Sequence, residues 1–369
     1  MPPRPEPAGV RPVRVRMEGA PSSLLLAGDP IQAWNANGSL VATESGSVRL
    51  LAAGAGIAWA GGKMLESPID VSAHGGLWVE GKRFPGRIRI LARGGGIQVV
   101  AVVPLEQYVA AVVSREAPPS FFPEALSALA VAVRTYTLLA MAAPRDPEYD
   151  LLAGVEDQVF EGVENVGEGF RTAVETTRGE VLYYRNDLAR TVYHSTCGGR
   201  TESAGEAWGR DIHYLRSVRC EDCRESPVWR WEYRMDRSEG RRIALALGVQ
   251  AGYDLRIGIA DRTPSGRAGR VRFTSGGISR EAKASRFRQV AGYTRVRSLW
   301  MEIDPVGAGW RFKGNGYGHG VGMCQWGANG MAKRGAAYRE ILARYYPLTR
   351  LVFFTGGVGP HAGGIGGKP

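Results

Sequence analysis

The residues predict a mixed α+β protein, on three observations. Over the first hundred positions apolar and charged side chains alternate between Gly-rich turns, as in half-buried strands. Residues 104–140 run at helical pitch, as a pair of helices parted by Pro118 and Pro119. Beyond them come further short strands and a segment of alternating glycines that excludes helix until about Met323.

In the N-terminal part, Val13, Val15 and Met17 alternate with arginines, and short apolar pieces at 48–51 and 77–79 lie between Gly-rich turns. At 87–92, Ile88 and Ile90 again alternate with arginines. Arg93-Gly94-Gly95-Gly96 turns the chain into a more continuous apolar strand at 97–103. This hairpin leads to Pro104, whose fixed φ suits a first helical position.

In the first helix Leu105, Tyr108, Val109, Val112 and Val113 share one face, with Glu106, Gln107, Ala110 and Ser114 opposite. Glu116, eleven positions after Leu105, falls about 20° from it around the axis. One carboxylate therefore stands in the apolar stripe, in the last turn before the prolines stop the helix. Burial disfavours its ionised form, and the negative end of the helix dipole acts in the same direction. Both raise a carboxyl pKa, as a general acid near neutral pH requires. The plainer reading is that Glu116 reaches past the stripe to solvent, or pairs with Arg115 or Arg134.

The second helix, 125–140, is almost wholly small and apolar, hence buried, with Arg134 flanking its apolar face as ion-pair partner or functional group. Residues 169–177 look helical, with Gly179 placed to end the helix. Residues 180–184 and 189–193 are expected to pair across Arg185-Asn186-Asp187-Leu188. His194 and Cys197 follow, and later Cys220 and Cys223. His-x2-Cys with a distant Cys-x2-Cys has the ligand types and local spacing of a tetrahedral zinc site. Four protein ligands leave no open position, which makes a metal structural; three would leave a place for water. A redox pair at Cys220 and Cys223, a disulfide, or a hydrogen-bonded His194 at a strand end fit the same residues.

From 229 to 310 the chain is arginine-rich and polar, with a helix at 240–247. A hairpin of 255–259 with 270–273 turns around Thr263-Pro264-Ser265-Gly266. The glycines between Lys313 and Ala328 let backbone approach a polar ligand closely, with His319 and Gln325 turned toward it. They are not the dinucleotide pattern, which needs a βαβ unit. His319 and Cys324 as base and nucleophile of a cysteine peptidase is an alternative, one that nearness in sequence does not establish. The closing GGVGPHAGGIGGKP is low-complexity.

With 369 residues, 44% hydrophobic and 22% charged, the chain has room for two domains or one large one with insertions. A net charge of +11, mostly from arginine, favours an anionic partner: nucleic acid, an acidic lipid surface or an anionic wall polymer. No basic block with interleaved aromatics marks a nucleic-acid module. No apolar run approaches the roughly 18 residues of a membrane span. The start has no apolar h-region of a secretory signal, so the protein stays inside, or its export signal has been removed or lies outside this sequence.

PLEQYVAAVVSREAP with FFPEALSALAVAVRTYTL resembles the core of the SpoIID/LytB family, the stage II sporulation protein D and amidase-enhancer proteins. DQVFEG, AVETTRGEVLYY, YHSTCGGRTESAGEAWG with YLRSV, and GNGYGHGVGMCQWGANGMAKRG with ILARYYPLT follow in the family's order. The likeness spans about residues 84–351, with an unmatched piece near 225–305.

The resemblance implies a peptidoglycan-directed protein of the cell envelope or extracytoplasmic space, whose enzymatic relatives are lytic transglycosylases. These cleave between N-acetylmuramic acid and N-acetylglucosamine, on strands stripped of peptides by an amidase. The acid matching Glu116 is the family's catalytic residue. Two-step hydrolases need two carboxylates. A lytic transglycosylase works with one, which protonates the glycosidic oxygen and then takes the proton of the muramic C6 hydroxyl as that oxygen closes a 1,6-anhydro ring. Arg134, Thr135 and Tyr136 match the family's Arg-Thr-Tyr, and His319, Gly320 and Gln325 its Gly-His-Gly-Val-Gly-Met-x-Gln loop; the resemblance implies that they line the glycan groove. Some members hold zinc beside the cleft through His and Cys; here His194, Cys197, Cys220 and Cys223 would be the ligands, and the chemistry itself needs no cofactor. Phe160 stands where Tyr is common and Cys324 where Ser is common, which weakens the cysteine-nucleophile alternative. A non-catalytic, glycan-binding activator of an N-acetylmuramoyl-L-alanine amidase is the second functional reading.

The expected organisation is a β-rich region at 1–85, a SpoIID/LytB-like catalytic domain at 86–351 with an insertion near 225–305, and a Gly-rich flexible tail at 352–369. In that domain the helical pair carries the catalytic Glu, and further strands with the Gly-rich loop close the groove.

Overall fold

The computed structural model describes residues 9–84 and 86–355. They fall into two units by contact: residues up to 121, 129–190 and from 351 onward form the first, and 122–128 with 191–350 the second. The architecture is mixed α+β, with eight α-helices among the described residues.

The first unit is built on an eleven-stranded sheet. Its strand Val13–Arg16 buries Val13 and Val15, and Arg87–Arg93 buries Ile88 and Ile90, so the alternation with arginine sorts one face inward. Arg87–Arg93 pairs antiparallel with Gly96–Val103; Arg93 faces Gly96 across Gly94 and Gly95. Those two residues sit at φ +62° and +77°, left-handed values that glycine adopts without strain and that a two-residue hairpin turn requires.

The longest strands, Ser23–Asn35 and Leu40–Ala53, form a hairpin that the sequence pattern hides. Leu24 and Leu26 are buried, then Ile31 and Ala33. The register shifts between Gly28 and Ile31, so the inward phase changes parity at Asp29 and Pro30 and no simple alternation survives.

Helix α1 (Leu105–Glu116) starts just after Pro104, which stands at the N-cap rather than inside the first turn. It is buried on nearly every side, Glu106 and Ala110 included; the two-faced helix expected from its periodicity is corrected to a core helix. Helix α2 (Pro123–Ala142) is long and apolar enough to cross a membrane, contrary to the expectation that no run reaches such a length. Of its apolar window 83% is buried within the protein, which accounts for its composition as a core helix.

After α3 (Glu168–Thr176), strand Glu180–Tyr184 pairs with Asp187–Leu188 and with Arg350–Phe353. The expected pairing with 189–193 is therefore corrected. With Arg185 at φ +56° the chain turns over Arg185 and Asn186, so the return strand starts at Asp187, two residues earlier than expected, and Tyr193–His194 joins Met323–Cys324 in parallel instead. The expected tail boundary at 352 falls inside the Arg350–Phe353 strand; residues 356–369 of that tail, like 1–8 of the N-terminal region, lie outside the described residues.

The second unit holds α4 (Ala204–Trp208), α5 (Arg237–Ala246), α6 (Ala284–Ala291), α7 (Gln325–Lys333) and α8 (Tyr338–Tyr345). Asp236 caps α5 by accepting from Glu239 N, which sets its start three residues before the expected position. Strand Gly309–Asn315 lies between Arg230–Met235 and Met301–Val306, while Ala268–Ser275 lies between Arg256–Arg262 and Ile278–Lys283. Trp231, Ile243, Phe273, Phe287, Trp310 and Phe312 share one hydrophobic cluster. The segment that the family blocks leave unmatched thus builds a core together with Trp310 and Phe312 of the strand that follows it.

Candidate functional site

Glu116 is the last residue of α1 because Ala117 takes an extended conformation (φ −129°, ψ 141°) ahead of Pro118. Val113 is the last fully buried position; Ser114 and Glu116 are half-buried and Arg115 is exposed. Full burial of Glu116 is thus corrected to half-burial, since α1 leaves the core in its final turn. The carboxylate Oε1 faces Val159 N at 3.4 Å. Arg115 lies 3.2 Å from Glu161.

The segment bearing Val159 is pinned from both sides. Gln158 is buried and its Oε1 accepts from Tyr108 Oη (3.1 Å) and Thr137 Oγ1 (3.0 Å). Asp157 accepts from Tyr136 Oη (2.9 Å), Arg145 Nη2 (2.8 Å) and Leu152 N (3.0 Å). The ring of Phe160 lies 5.2 Å from that of Tyr108. Burial raises the Tyr108 hydroxyl pKa well above its ordinary value, and negative charge on Asp157 and Glu116 adds to this. Burial with Asp157 does the same for Tyr136. The sequence alone shows no role for these residues beyond their place in the DQVFEG block; the polar Asp157-Gln158 pair ahead of Val159 and Phe160 is the one signal it carries.

Arg134 is fully buried on α2 and bonds Glu106 of α1 through Nη2 (2.7 Å to Oε2) and Nε (2.9 Å to Oε1). It also donates to Glu180 O and Val174 O. Lining a groove needs exposed donors, so the ligand contact expected of Arg134 is corrected to a core ion pair. Tyr136 is 8% exposed, its hydroxyl engaged by Asp157.

His319 and Gln325 belong to the second unit. The glycine segment winds through left-handed backbone, and at Gly318 (φ +116°) and Gly322 (φ +73°) a Cβ would lie 2.7 Å from His194 Cβ and 2.0 Å from Val192 O. Nδ1 of half-buried His319 accepts from Val321 N (3.1 Å), which leaves the proton on Nε2. Its ring lies 5.5 Å from those of His194 and Trp208. Gln325 is buried as the first residue of α7.

The metal-ligand set changes. Sγ atoms of Cys197, Cys220, Cys223 and Cys324 lie within 4.8 Å of one another, all buried. His194 is not among them: its Nδ1 donates to Val321 O (3.0 Å), and burial depresses its pKa to about 3. The fourth sulfur is Cys324, which pairs in register with His194 through the Tyr193–His194 and Met323–Cys324 strands. The Cys324 nucleophile alternative is corrected as well, because that sulfur is buried among the other three.

The cluster fits a metal on chemical grounds. A tetrahedral thiolate site with metal–sulfur bonds near 2.3 Å sets its sulfurs about 3.8 Å apart; Cys197 and Cys223 sulfurs are 3.5 Å apart. Each sulfur has a hydrogen-bonding partner. Cys324 Sγ accepts from Cys197 N (3.2 Å) and Gly327 N (3.3 Å), and Cys197 Sγ from Gly199 N (3.4 Å). Gly198 N serves Cys223, and Tyr345 Oη lies 3.1 Å from Cys220 Sγ. Thiol donation from its neighbours drives Cys223 far below an ordinary thiol, whereas burial pushes Cys197 and Cys324 well up. Cys197 and Cys324 thus retain protons that a cation would displace.

Residues 93–184 match the family model described as SpoIID, Stage II sporulation protein. An uncharacterised protein of Brachyspira hyodysenteriae is 32% identical over 75% of this chain and 74% of its own. The stage II sporulation protein D of Bacillus subtilis is 30% identical over 69% of this chain and 76% of its own. The amidase enhancer of Bacillus subtilis is 24% identical over 66% of this chain and 40% of its own. On the extent of these matches, the chain belongs to the SpoIID family of stage II sporulation proteins.

Proposed function

We propose that this chain is a lytic transglycosylase that cuts peptide-stripped peptidoglycan strands between N-acetylmuramic acid and N-acetylglucosamine, in the cell envelope or outside the cytoplasm. The observation that carries the reading is Glu116: a half-buried carboxyl at the end of a core helix, facing the Val159 N–H. As an acid it gives its proton to the glycosidic oxygen, and the bond to muramic C1 breaks. As a carboxylate it then takes the C6 hydroxyl proton while O6 bonds C1, leaving a 1,6-anhydro end and the proton back on Glu116. The Val159 N–H stands ready to receive charge on the carboxylate between the two transfers. One acid suffices, because the attacking oxygen belongs to the sugar.

Tyr136 and Gln325, buried like Arg134, are left out of the proposed sugar contacts, which keep half-buried His319 and its Nε2 proton. We infer zinc at Cys197, Cys220, Cys223 and Cys324, tying the strand ends at Tyr193–His194 and Met323–Cys324 to the loop that bears Cys220. Bound there it supplies a cross-link, with all four positions taken by sulfur.

A second reading is favoured by the likeness to an amidase enhancer: a glycan-binding activator of a cell-wall amidase. Glu116→Gln separates the two. The transglycosylase loses anhydro products and keeps strand binding; an activator alone stimulates its amidase as before and never yields those products.

A further inference from the structure

We propose that the second unit carries a separate glycan subsite, a cleft centred on Trp300, for sugars bearing carboxylates. The cleft, open to solvent, has a volume of about 780 Å³ beside the Arg230–Met235, Gly309–Asn315 and Met301–Val306 strands. That volume lies in the range of small-ligand pockets. Most of its lining sits in the stretch outside the matched family blocks, with Gly314 and Asn315 opening the glycine block, and only its polymer rests on the function proposed above.

Trp300 makes the platform. Its indole is half-buried, with the Arg267 guanidinium over the ring at 5.4 Å. Arg267 is itself buried and fixed by Cys197 O (2.7 Å), Arg200 O (2.8 Å) and Ser265 Oγ (3.0 Å), so the ring rests on an immobile cation. The cleft floor is kept open at Gly314, where a Cβ would lie 2.3 Å from the Trp231 ring. Trp231 is anchored in turn by donation to Ser298 Oγ (3.3 Å). A preorganised aromatic plane of this kind suits the C–H face of a sugar ring and loses little entropy on binding.

The charges select the class. Arg230, Arg262 and Lys313 line the cleft together with Glu232 and Glu302, three cations against two carboxylates. Register sets Lys313 opposite both Glu232 and Glu302. A nucleic-acid backbone, charged at every residue, would meet those two acids and be repelled. A strand with one lactyl carboxylate per disaccharide can direct it to a cation. Its hydroxyl and acetamido groups then fall to the glutamates and Asn315.

The test uses the full chain carrying Glu116→Gln, so that nothing is cleaved, with fluorescent peptide-free peptidoglycan strands titrated by anisotropy. Trp300→Ala should weaken binding about tenfold, the size of roughly 1.4 kcal/mol of lost stacking, and Trp300→Phe should restore most of it. A variant with Arg230→Ala and Lys313→Ala should lose affinity for these strands but not for uncharged chitin oligosaccharides of equal length. Unchanged affinity of Trp300→Ala, with a native melting curve, would overturn the subsite. So would single-stranded DNA binding more tightly than glycan and being lost in that same variant. Because binding is read without turnover, failure of Glu116 as the catalytic acid would leave this outcome intact.

Discussion

Glu106 of α1 and Arg134 of α2 form an ion pair in the core, with Nη2 2.7 Å from Oε2 and side-chain exposures of 5% and 0%. Removing one partner strands a buried charge, which costs about 3–5 kcal/mol. Glu106→Gln should therefore lower the denaturant midpoint sharply, and Glu106→Leu with Arg134→Met should recover part of the loss. A stability change below about 1 kcal/mol for the single variant would show that water or another acid replaces the partner.

The sulfur cluster predicts which substitutions release metal. Protein purified without chelator should contain one zinc per chain by elemental analysis; Cys324→Ser should lose most of it, and His194→Ala should keep it. The opposite ranking would return His194 to the ligand set.

Asp150 gives a pH dependence whose sign is fixed. Burial alone would raise its carboxyl pKa, but Arg11 (2.7 Å) and Arg14 (2.9 Å) outweigh that and hold it below its ordinary value. Below the usual carboxylate range the unfolded chain binds more protons than the folded one. The contribution is therefore complete above about pH 4 and is lost as pH falls through the depressed folded value. Asp150→Asn should lower stability at neutral pH and flatten its decline in acid. Parallel acid-unfolding curves for the two proteins would refute this.

Gln158 should matter to turnover without touching sugar. Gln158→Ala leaves the buried Tyr108 hydroxyl without its acceptor, at about 1–3 kcal/mol. It also frees the backbone that presents Val159 N to Glu116. The expected result is a fall in kcat with KM for glycan little changed, at a temperature where the variant remains folded. A change confined to KM would make Gln158 part of the binding surface.

Much of this was legible in the sequence, for physical reasons. The strands carrying Val13, Val15, Ile88 and Ile90 show because each faces the core on one side only. The Gly94-Gly95 turn shows because left-handed backbone demands glycine. The long hairpin did not show, since Asp29 and Pro30 switch the inward parity midway. Periodicity marked Glu116 and the end of α1, but it put Glu106 on an outer face; the sequence holds no sign that Arg134 meets it there. Three cysteines announced a metal site by spacing. The fourth, 101 positions beyond Cys223, is brought in only by the parallel pairing of Tyr193–His194 with Met323–Cys324.

The central claim is that Glu116, having given its proton to the glycosidic oxygen, recovers one from the substrate's own C6 hydroxyl. Mass spectrometry of peptide-free glycan strands incubated with the purified protein tests it most directly. Fragments whose reducing ends are lighter than the hydrolytic product by one water, absent with Glu116→Gln, are the predicted result. Fragments carrying the added water, or equal cleavage by the Glu116→Gln protein, would contradict it.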